Sequence, residues 1–457
     1  MLAMIYQVMS LLGDTIFERR RASLLPRTLF LSAGGQESQL RRDAMRKLPE
    51  RSDKKTTKRM LFVPFTIKTD VQRGLLTPFA AERWWTYIIG CIYAAMIKTS
   101  IDLRRRRFTA LAVGLSTALL APGSSLAKPN AAARQPRRKL LKPPALTRGD
   151  LVALFNPSGF ADDALIQRST VNLEKLGFRV MQSAHIQASR GNTAGTIGQR
   201  LTDLHALFAH REVRALWAAR GGSGTAQILP YIDYALIARH PKIVIGYSDL
   251  TSLLLAIYAK TGLVTFHGPV GSSGFTPFTV AHLAATLIEG RVPYVMSTAE
   301  EHAKLAATEP NFVQRVLRGG SAEGTLIGGN LSVLSSLVGT PYLPDVKKPL
   351  LFLEEISEAP YRVERMLTQL AQSGVLDNAS AAMLGVFVKG DVAAGDDSLT
   401  LTQALDDHFA ARPMPSAYGL SFGHIASQWV LPIGVRARFD ADTKSLTLLE
   451  SAVSPRD

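Results

Sequence analysis

Residues Lys242 to Gly262 read KIVIGYSDLTSLLLAIYAKTG. The β-branched run Ile243-Val244-Ile245 ends at Gly246-Tyr247-Ser248, and an apolar helical period begins at once with Leu250, Leu253, Leu254 and Ile257. This spacing predicts a strand that runs into a helix with almost no loop, with Ser248 on the corner. A serine held there exposes its hydroxyl at the carboxyl end of a strand, beside the free N–H groups of the next helix. Nucleophilic serines of α/β folds use that geometry, because the N–H of the following residue can bind an oxyanion. A plainer role is also open: Ser248 could be an N-cap only, with Asp249 favoured by the positive end of the helix dipole. The hydrolase pattern G-x-S-x-G is incomplete, since position 250 is leucine.

Outward from this corner the pattern alternates. Strands are predicted at Leu151–Phe155, Phe178–Ser183, Val213–Ala219 and Val264–His267, and helices at 161–176, 194–210, 225–239 and 280–289. Strand-helix alternation with short connections predicts a parallel sheet covered on both faces. Ligands on such sheets bind at the carboxyl ends of the strands. Ser248, the Gly-rich loop after Ala219 and the turn Asn156-Pro157-Ser158-Gly159 all fall at such ends. Residues 148–290 are therefore expected to form an N-terminal α/β domain carrying the corner serine. Residues 291–320 have no strong period and read as a connection. Residues 321–457 are expected to form a smaller C-terminal mixed α/β domain. It would contain strands at Leu326–Gly329, Leu350–Leu353 and Ala381–Val388, with a closing hairpin of Val435–Phe439 and Ser445–Leu449. A helix over 361–372 would bury Val363, Met366, Leu367 and Leu370.

The formal net charge of +16 is unevenly placed. Residues 1–95 carry 16 Lys and Arg against 8 Asp and Glu, whereas residues 145–457 carry 26 against 28. The basic excess thus belongs to the N-terminal third and does not point the body towards nucleic acid. The one cysteine, Cys91, lies in that third too, which leaves no thiolate nucleophile or disulfide framework downstream. Arg104 to Arg107, an apolar run from Phe108 to Ala121 and small residues up to Ala127 read as a twin-arginine-like secretory signal over 96–127. The apolar run is too short to span a bilayer comfortably, so no stable membrane anchor is expected. A signal of this kind belongs at a protein's start. Met96 is then the expected start of translation, and residues 1–95 are an upstream extension. Residues 128–147, rich in Ala, Pro, Arg and Lys, read as a solvated linker. Export would place the body in the periplasm.

A serine nucleophile needs a base, and the base needs a carboxylate to orient it. His205, His210, His282 and His408 fall on predicted helices. His267, in Phe266-His267-Gly268-Pro269, ends a strand near the rim. His424, in Ser421-Phe422-Gly423-His424, also ends an apolar strand, and the glycine before it leaves room for a close approach. Glu354 closes the apolar strand Leu350–Leu353, where an unpaired charge would be costly. A salt bridge to Arg362 or Arg365 is the alternative for it.

The segments RGGSGTAQILPYID (220–233), GYSDLT (246–251), FHGP (266–269), GTLIGGNLSVLSSLVGTP (324–341), FLEEISEAPYRVERML (352–367) and SFGH (421–424) resemble, in order, the L,D-carboxypeptidases. These are muramoyl-tetrapeptide carboxypeptidases whose relatives include microcin-immunity peptidases. The resemblance covers residues 150–457. It implies Ser248 as nucleophile, His424 as general base and Glu354 as its orienting carboxylate. The backbone N–H groups of Gly222 and Asp249 would form the oxyanion hole. It further implies a murein tetrapeptide substrate that loses its terminal D-alanine, no metal or other cofactor, and a homodimer. The family's serine also lacks a glycine two residues on. Ser223 is a departure, since many relatives carry an aromatic residue there. Three other readings compete with this one. The Arg220–Thr225 loop could cradle a phosphate, although it matches neither G-x-G-x-x-G nor a Walker loop. The chain could act on a microcin-like peptide. It could also be an exported α/β binding protein without catalysis.

Overall fold

The computed structural model describes residues 139–392 and 397–456. The signal sequence and the 1–95 extension lie outside the described residues. Two sheets organise the chain. The first half supplies β1 (Leu151–Phe155), α1 (Asp163–Lys175), β2 (Arg179–Gln182), α2 (Ile197–Ala209), β3 (Val213–Ala218), α3 (Tyr234–Arg239), β4 (Ile243–Gly246), α4 (Thr251–Thr261), β5 (Thr265–His267) and α5 (Pro277–Leu283). Further on come β6 (Tyr294–Met296), α6 (Glu300–Leu305), β7 (Arg315–Arg318), β8 (Ser321–Asn330), α7 (Leu331–Ser336), β9 (Leu350–Glu354), α8 (Pro360–Gln372) and α9 (Val375–Asn378). The chain closes with β10 (Ala381–Val386), α10 (Leu401–Phe409), β11 (Ser416–Gly423), β12 (Leu431–Ile433), β13 (Arg436–Asp440) and β14 (Ser445–Leu448).

The first sheet has the order β12-β5-β4-β3-β1-β2. Its five N-terminal strands are parallel, and β12 joins antiparallel to β5 with Leu431 opposite His267. The second sheet, β6-β14-β13-β8-β9-β10-β11-β7, has a parallel centre from β8 to β11 and antiparallel flanks. Parallel strands covered on both faces read as unbroken apolar runs. Accordingly every residue of β4 (IVIG), β9 (LLFLE) and β10 (AAMLGV) is buried.

Helix α4 is apolar almost all round, and Thr251 to Ile257 are all buried. A helix of that kind has neighbours on every side. It packs on β5 and β12 of the first sheet and on β8 of the second, and the Asn330 N–H donates to Thr251 Oγ1 (3.0 Å). The Ser248 corner thus stands between the two sheets.

Several expectations are corrected. The helix expected over 225–239 is two pieces, a 3₁₀ segment Thr225–Tyr231 and α3. Pro230 lies inside the first piece and has no N–H to continue it, and Asp233 caps the second by accepting from the Leu236 N–H. The helix expected over 280–289 starts earlier, at Pro277, and its last turn widens to a π-helix over Ala284–Ile288. The featureless 291–320 stretch supplies two edge strands of the second sheet, β6 and β7. Residues 140–146, read as the end of a solvated linker, are packed instead. Leu141 bridges to Leu263, the Ala145 N–H donates to Ser454 O (3.0 Å), and Leu146 is fully buried. Leucines interleaved with Lys and Pro do this, because bulk composition hides an apolar anchor of two or three residues.

Candidate active site

Ser248 occupies the left-handed region with φ 64°, a strained setting for a residue with a Cβ. It does not cap the helix: neither the short 3₁₀ turn Ser248–Leu250 nor α4 has a side-chain cap. The structure therefore removes the plainer role and leaves the hydroxyl uncommitted. Gly221 lies against it, since a methyl group there would sit 2.9 Å from Ser248 Cβ and 3.1 Å from its Oγ.

Asp249 is buried, and its Oδ2 gathers three donors. Ser158 Oγ (2.5 Å), Thr225 Oγ1 (2.6 Å) and the Thr225 N–H (2.9 Å) all donate to it. One carboxylate oxygen thereby ties the Asn156–Gly159 turn and the Gly-rich loop to the Ser248 corner. Arg200, also buried, clamps the same loops through Pro157 O (3.0 Å), Gly224 O (2.8 Å) and Gln227 Oε1 (3.0 Å). Gly221 O accepts from the Gly159 N–H (3.3 Å). In a planar trans peptide the Gly222 N–H points the opposite way, away from that contact. The Asp249 N–H lies in the first turn of its helix, where N–H groups have no intrahelical partner. Ser223, the position that departs from the aromatic pattern, is exposed and accepts from Asn192 Nδ2 (2.5 Å).

The other half of the site comes from the second sheet. Glu354 ends β9, and His424 follows β11 directly. They lie on either side of β10 in the sheet, and His424 Nδ1 meets Glu354 Oε2 at 2.7 Å. Gly423 makes this approach possible, for a methyl there would lie 3.0 Å from Glu354 Cβ at a φ of 114°. Burial of Glu354 is complete and by itself would raise its pKa. The charge and hydrogen bond of His424 outweigh it and hold the carboxyl below its usual range. Burial would likewise lower His424, but the facing Glu354 carboxylate pushes the imidazole above its ordinary value. The ring of Tyr247, the residue before Ser248, meets His424 edge-on at 4.8 Å. The structure thus brings the serine corner up to the His–Glu pair, although Ser248 and His424 form no direct hydrogen bond. The alternative partners of Glu354 are engaged elsewhere: Arg362 pairs with Glu358, and Arg365 stacks on Tyr361.

Sequence reasoning did not find Ser158, Thr225 and Arg200 as the clamp, or Asn330 and Glu355 beside the dyad. Glu355 accepts from Asn330 Nδ2 (3.0 Å), the Ser332 N–H (2.7 Å) and Ser332 Oγ (2.6 Å) at the start of α7. Burial raises its pKa. A second acid next to Glu354, at the end of an apolar strand, was the available signal. Two of the other candidate histidines have structural settings: His205 Nε2 accepts from the Asp233 N–H, and His282 Nδ1 pairs with Tyr294 (2.6 Å). Among the described residues, no group of three or more His, Cys, Asp or Glu is placed to hold a metal ion, and no helix is long and apolar enough to cross a membrane.

A serine on a strand-helix corner, loops clamped around it and a buried His–Glu pair facing it across two α/β sheets define an enzyme of the serine-peptidase class. The chain belongs to the LD-carboxypeptidase family: that family's N-terminal domain matches residues 152–268 and its C-terminal domain residues 323–439. A probable murein peptide carboxypeptidase of Bacillus subtilis is 37% identical over 318 residues, covering 68% of this chain and 95% of the relative. The murein tetrapeptide carboxypeptidase of Pseudomonas aeruginosa is 32% identical over 293 residues, 63% of this chain and 92% of its own. Among solved structures, MccF in complex with glutamyl sulfamoyl guanosine superposes with a TM-score of 0.62 at 27% identity, over 69% of this chain and 100% of that one. The muramoyltetrapeptide carboxypeptidase from Oxalobacter formigenes gives 0.56 at 29% identity, over 67% and 100%.

Proposed function

We propose that the protein is a serine L,D-carboxypeptidase that removes the terminal D-alanine from murein tetrapeptides. The observation that carries this reading is the Glu354–His424 hydrogen bond, which leaves His424 Nε2 directed away from the carboxylate beside the Ser248 corner. Ser248 Oγ attacks the carbonyl carbon of the L-centre bearing the terminal D-residue, and His424 Nε2 takes the hydroxyl proton. The oxyanion is received by the Gly222 and Asp249 N–H groups. Collapse breaks the C–N bond, and His424 returns its proton to the departing amine. Water then attacks the acyl ester with His424 as base, freeing the tripeptide carboxylate and Ser248. Glu354 keeps the imidazole in the tautomer that presents Nε2 as an acceptor and stabilises the imidazolium.

The murein substrate is taken from the relatives whose names state it. The twin-arginine-like segment supports a periplasmic site of action, where the enzyme would trim stems on the wall or on released fragments. A homodimer is part of the same family-based reading. D-alanine release from a murein tetrapeptide by the purified chain, beside Ser248→Ala and with and without EDTA, tests the proposal. Release by the parent only, indifferent to EDTA, is expected. No release by a folded parent would overturn the substrate. The likeness to MccF favours one second reading, cleavage of an aminoacyl sulfamoyl nucleoside, and the same assay on such a compound decides between the two.

A further inference from the structure

His267 is fully buried at the end of β5, and neither ring nitrogen has a hydrogen-bond partner within the protein. An imidazole without partners in an apolar setting is costly, and a phenyl ring would fill the space at less cost. The surroundings of His267 explain what the imidazole could serve. It lies beside Gly246 in the strand register, next to the nucleophile corner. Its ring meets Tyr247 at 6.1 Å, Phe352 at 5.4 Å and Phe422 at 6.4 Å. Phe352 stands two residues before Glu354 on β9 and shares its face, and Phe422 stands two residues before His424, so His267 sits beside the dyad, close enough for the charges of both its members to act on it.

A second unpaired atom lies there. Glu354 Oε2 holds His424, while Glu354 Oε1 is buried with no protein donor at hydrogen-bonding distance; Asn330 Nδ2 beside it donates to Glu355 (3.0 Å), and its remaining N–H helps to hold the Glu354 carboxyl below the usual range from further off. The charges of Glu354 and His424 both reach His267. Buried polar atoms that protein groups leave unpaired are met by ordered water, which needs at least two polar partners. An imidazole nitrogen and a carboxylate oxygen are such a pair.

We propose that His267 is a positioning residue for acyl transfer: its neutral ring donates through a buried water to Glu354 Oε1 and fixes the carboxylate that orients His424. Glu354 is then held through both oxygens, by His424 on one side and by the His267 relay on the other. Burial depresses His267 to about 4, which keeps the ring neutral wherever the enzyme would work. The titratable groups around it are Tyr247 from the nucleophile corner, Glu354 from β9 and His424 from the segment after β11. This inference rests on the serine-carboxypeptidase reading.

The test compares His267→Phe with His267→Gln in the full chain. Gln can donate to the water and Phe cannot. His267→Phe is expected to lower kcat for D-alanine release by about tenfold, the worth of one hydrogen bond to a charged group, with KM unchanged. His267→Gln should recover most of that loss. The N–H dipole opposes charging of His424, so the acid limb of kcat/KM should move to higher pH in His267→Phe. Equal kcat in the two variants, both shown folded, would overturn the proposal. Should the Phe variant not fold, ring-nitrogen NMR of the parent gives the answer. One protonated and one bare nitrogen at neutral pH, with shifts that change in Glu354→Gln, are expected. A ring that titrates near 6.5, or that is indifferent to Glu354→Gln, would refute it. The NMR arm needs no turnover, so failure of the murein substrate and failure of the relay are separable.

Discussion

Asp249→Asn perturbs the clamp while keeping its shape. In the parent, three donors converge on Oδ2 at 2.5, 2.6 and 2.9 Å, all in a buried setting. Hydrogen bonds to a buried charge contribute about 1.5–3 kcal/mol each against about 1 kcal/mol for neutral partners, so losing the charge should destabilise the fold by about 2–4 kcal/mol. The amide oxygen must take the Oδ2 position, because an Nδ2 there would face the Thr225 N–H donor to donor. The catalytic effect follows from what the clamp holds. Removing one oxyanion donor outright costs about 10²–10³ in kcat, and a loosened loop that still visits the correct place should cost about 10–100-fold. KM should change little, since the loss is realised in the transition state. Urea unfolding gives the stability term, and D-alanine release below the variant's own melting temperature gives kcat. A variant with kcat within a factor of about two of the parent and clearly reduced stability would show that the clamp supports the fold and not the oxyanion site.

Three further outcomes are expected. Ser248→Gly should abolish turnover yet stabilise the fold by about 1–2 kcal/mol, because glycine relieves the left-handed φ that serine holds under strain; thermal denaturation beside Ser248→Ala, which keeps the Cβ, checks this. Gly423→Ala should lose both activity and stability, since its methyl would lie 3.2 Å from Glu354 Oε2 and displace the carboxylate; an unchanged kcat would contradict the assigned geometry. For pH, the proposed base is neutral His424, whose pKa is raised by the Glu354 carboxylate against the effect of burial. Activity should therefore fall as pH drops through a value above the ordinary imidazole figure of about 6.5. In Glu354→Gln burial is opposed only by the charge of Glu355, and the acid limb of the residual kcat/KM should move to lower pH than in the parent.

What could be read from the sequence was what a single segment carries. The β4–α4 corner showed itself because an apolar strand and an apolar-periodic helix abut at Ser248, and Glu354 stood out as a charge ending a buried run. Pairings between distant segments were not legible. Ser158 and Asp249 are 91 positions apart, and neither looks unusual in its own segment. His267 was legible as a strand end near the rim, but its place under Phe352 and Phe422 exists only once two sheets meet. The edge strands β6 and β7, of 3 and 4 residues, are too short to express a period against the surrounding polar sequence. The Pro230 break was visible as a residue, but the apolar spacing on either side hid it.

The antiparallel strand β12 adds a constraint in time. The N-terminal family match stops at Gly268, yet the strand that covers β5 is Leu431–Ile433, made after six of the eight strands of the second sheet. During synthesis at about 5–20 residues per second, the β5 edge stays bare for on the order of ten seconds while the intervening chain emerges. An open edge is a template for pairing with other chains, so a half-made molecule is the form most exposed to aggregation. The two halves consequently mature together. A chain cut short before Leu431 would therefore leave the edge of β5 uncovered even though Ser248, Glu354 and His424 had all been made.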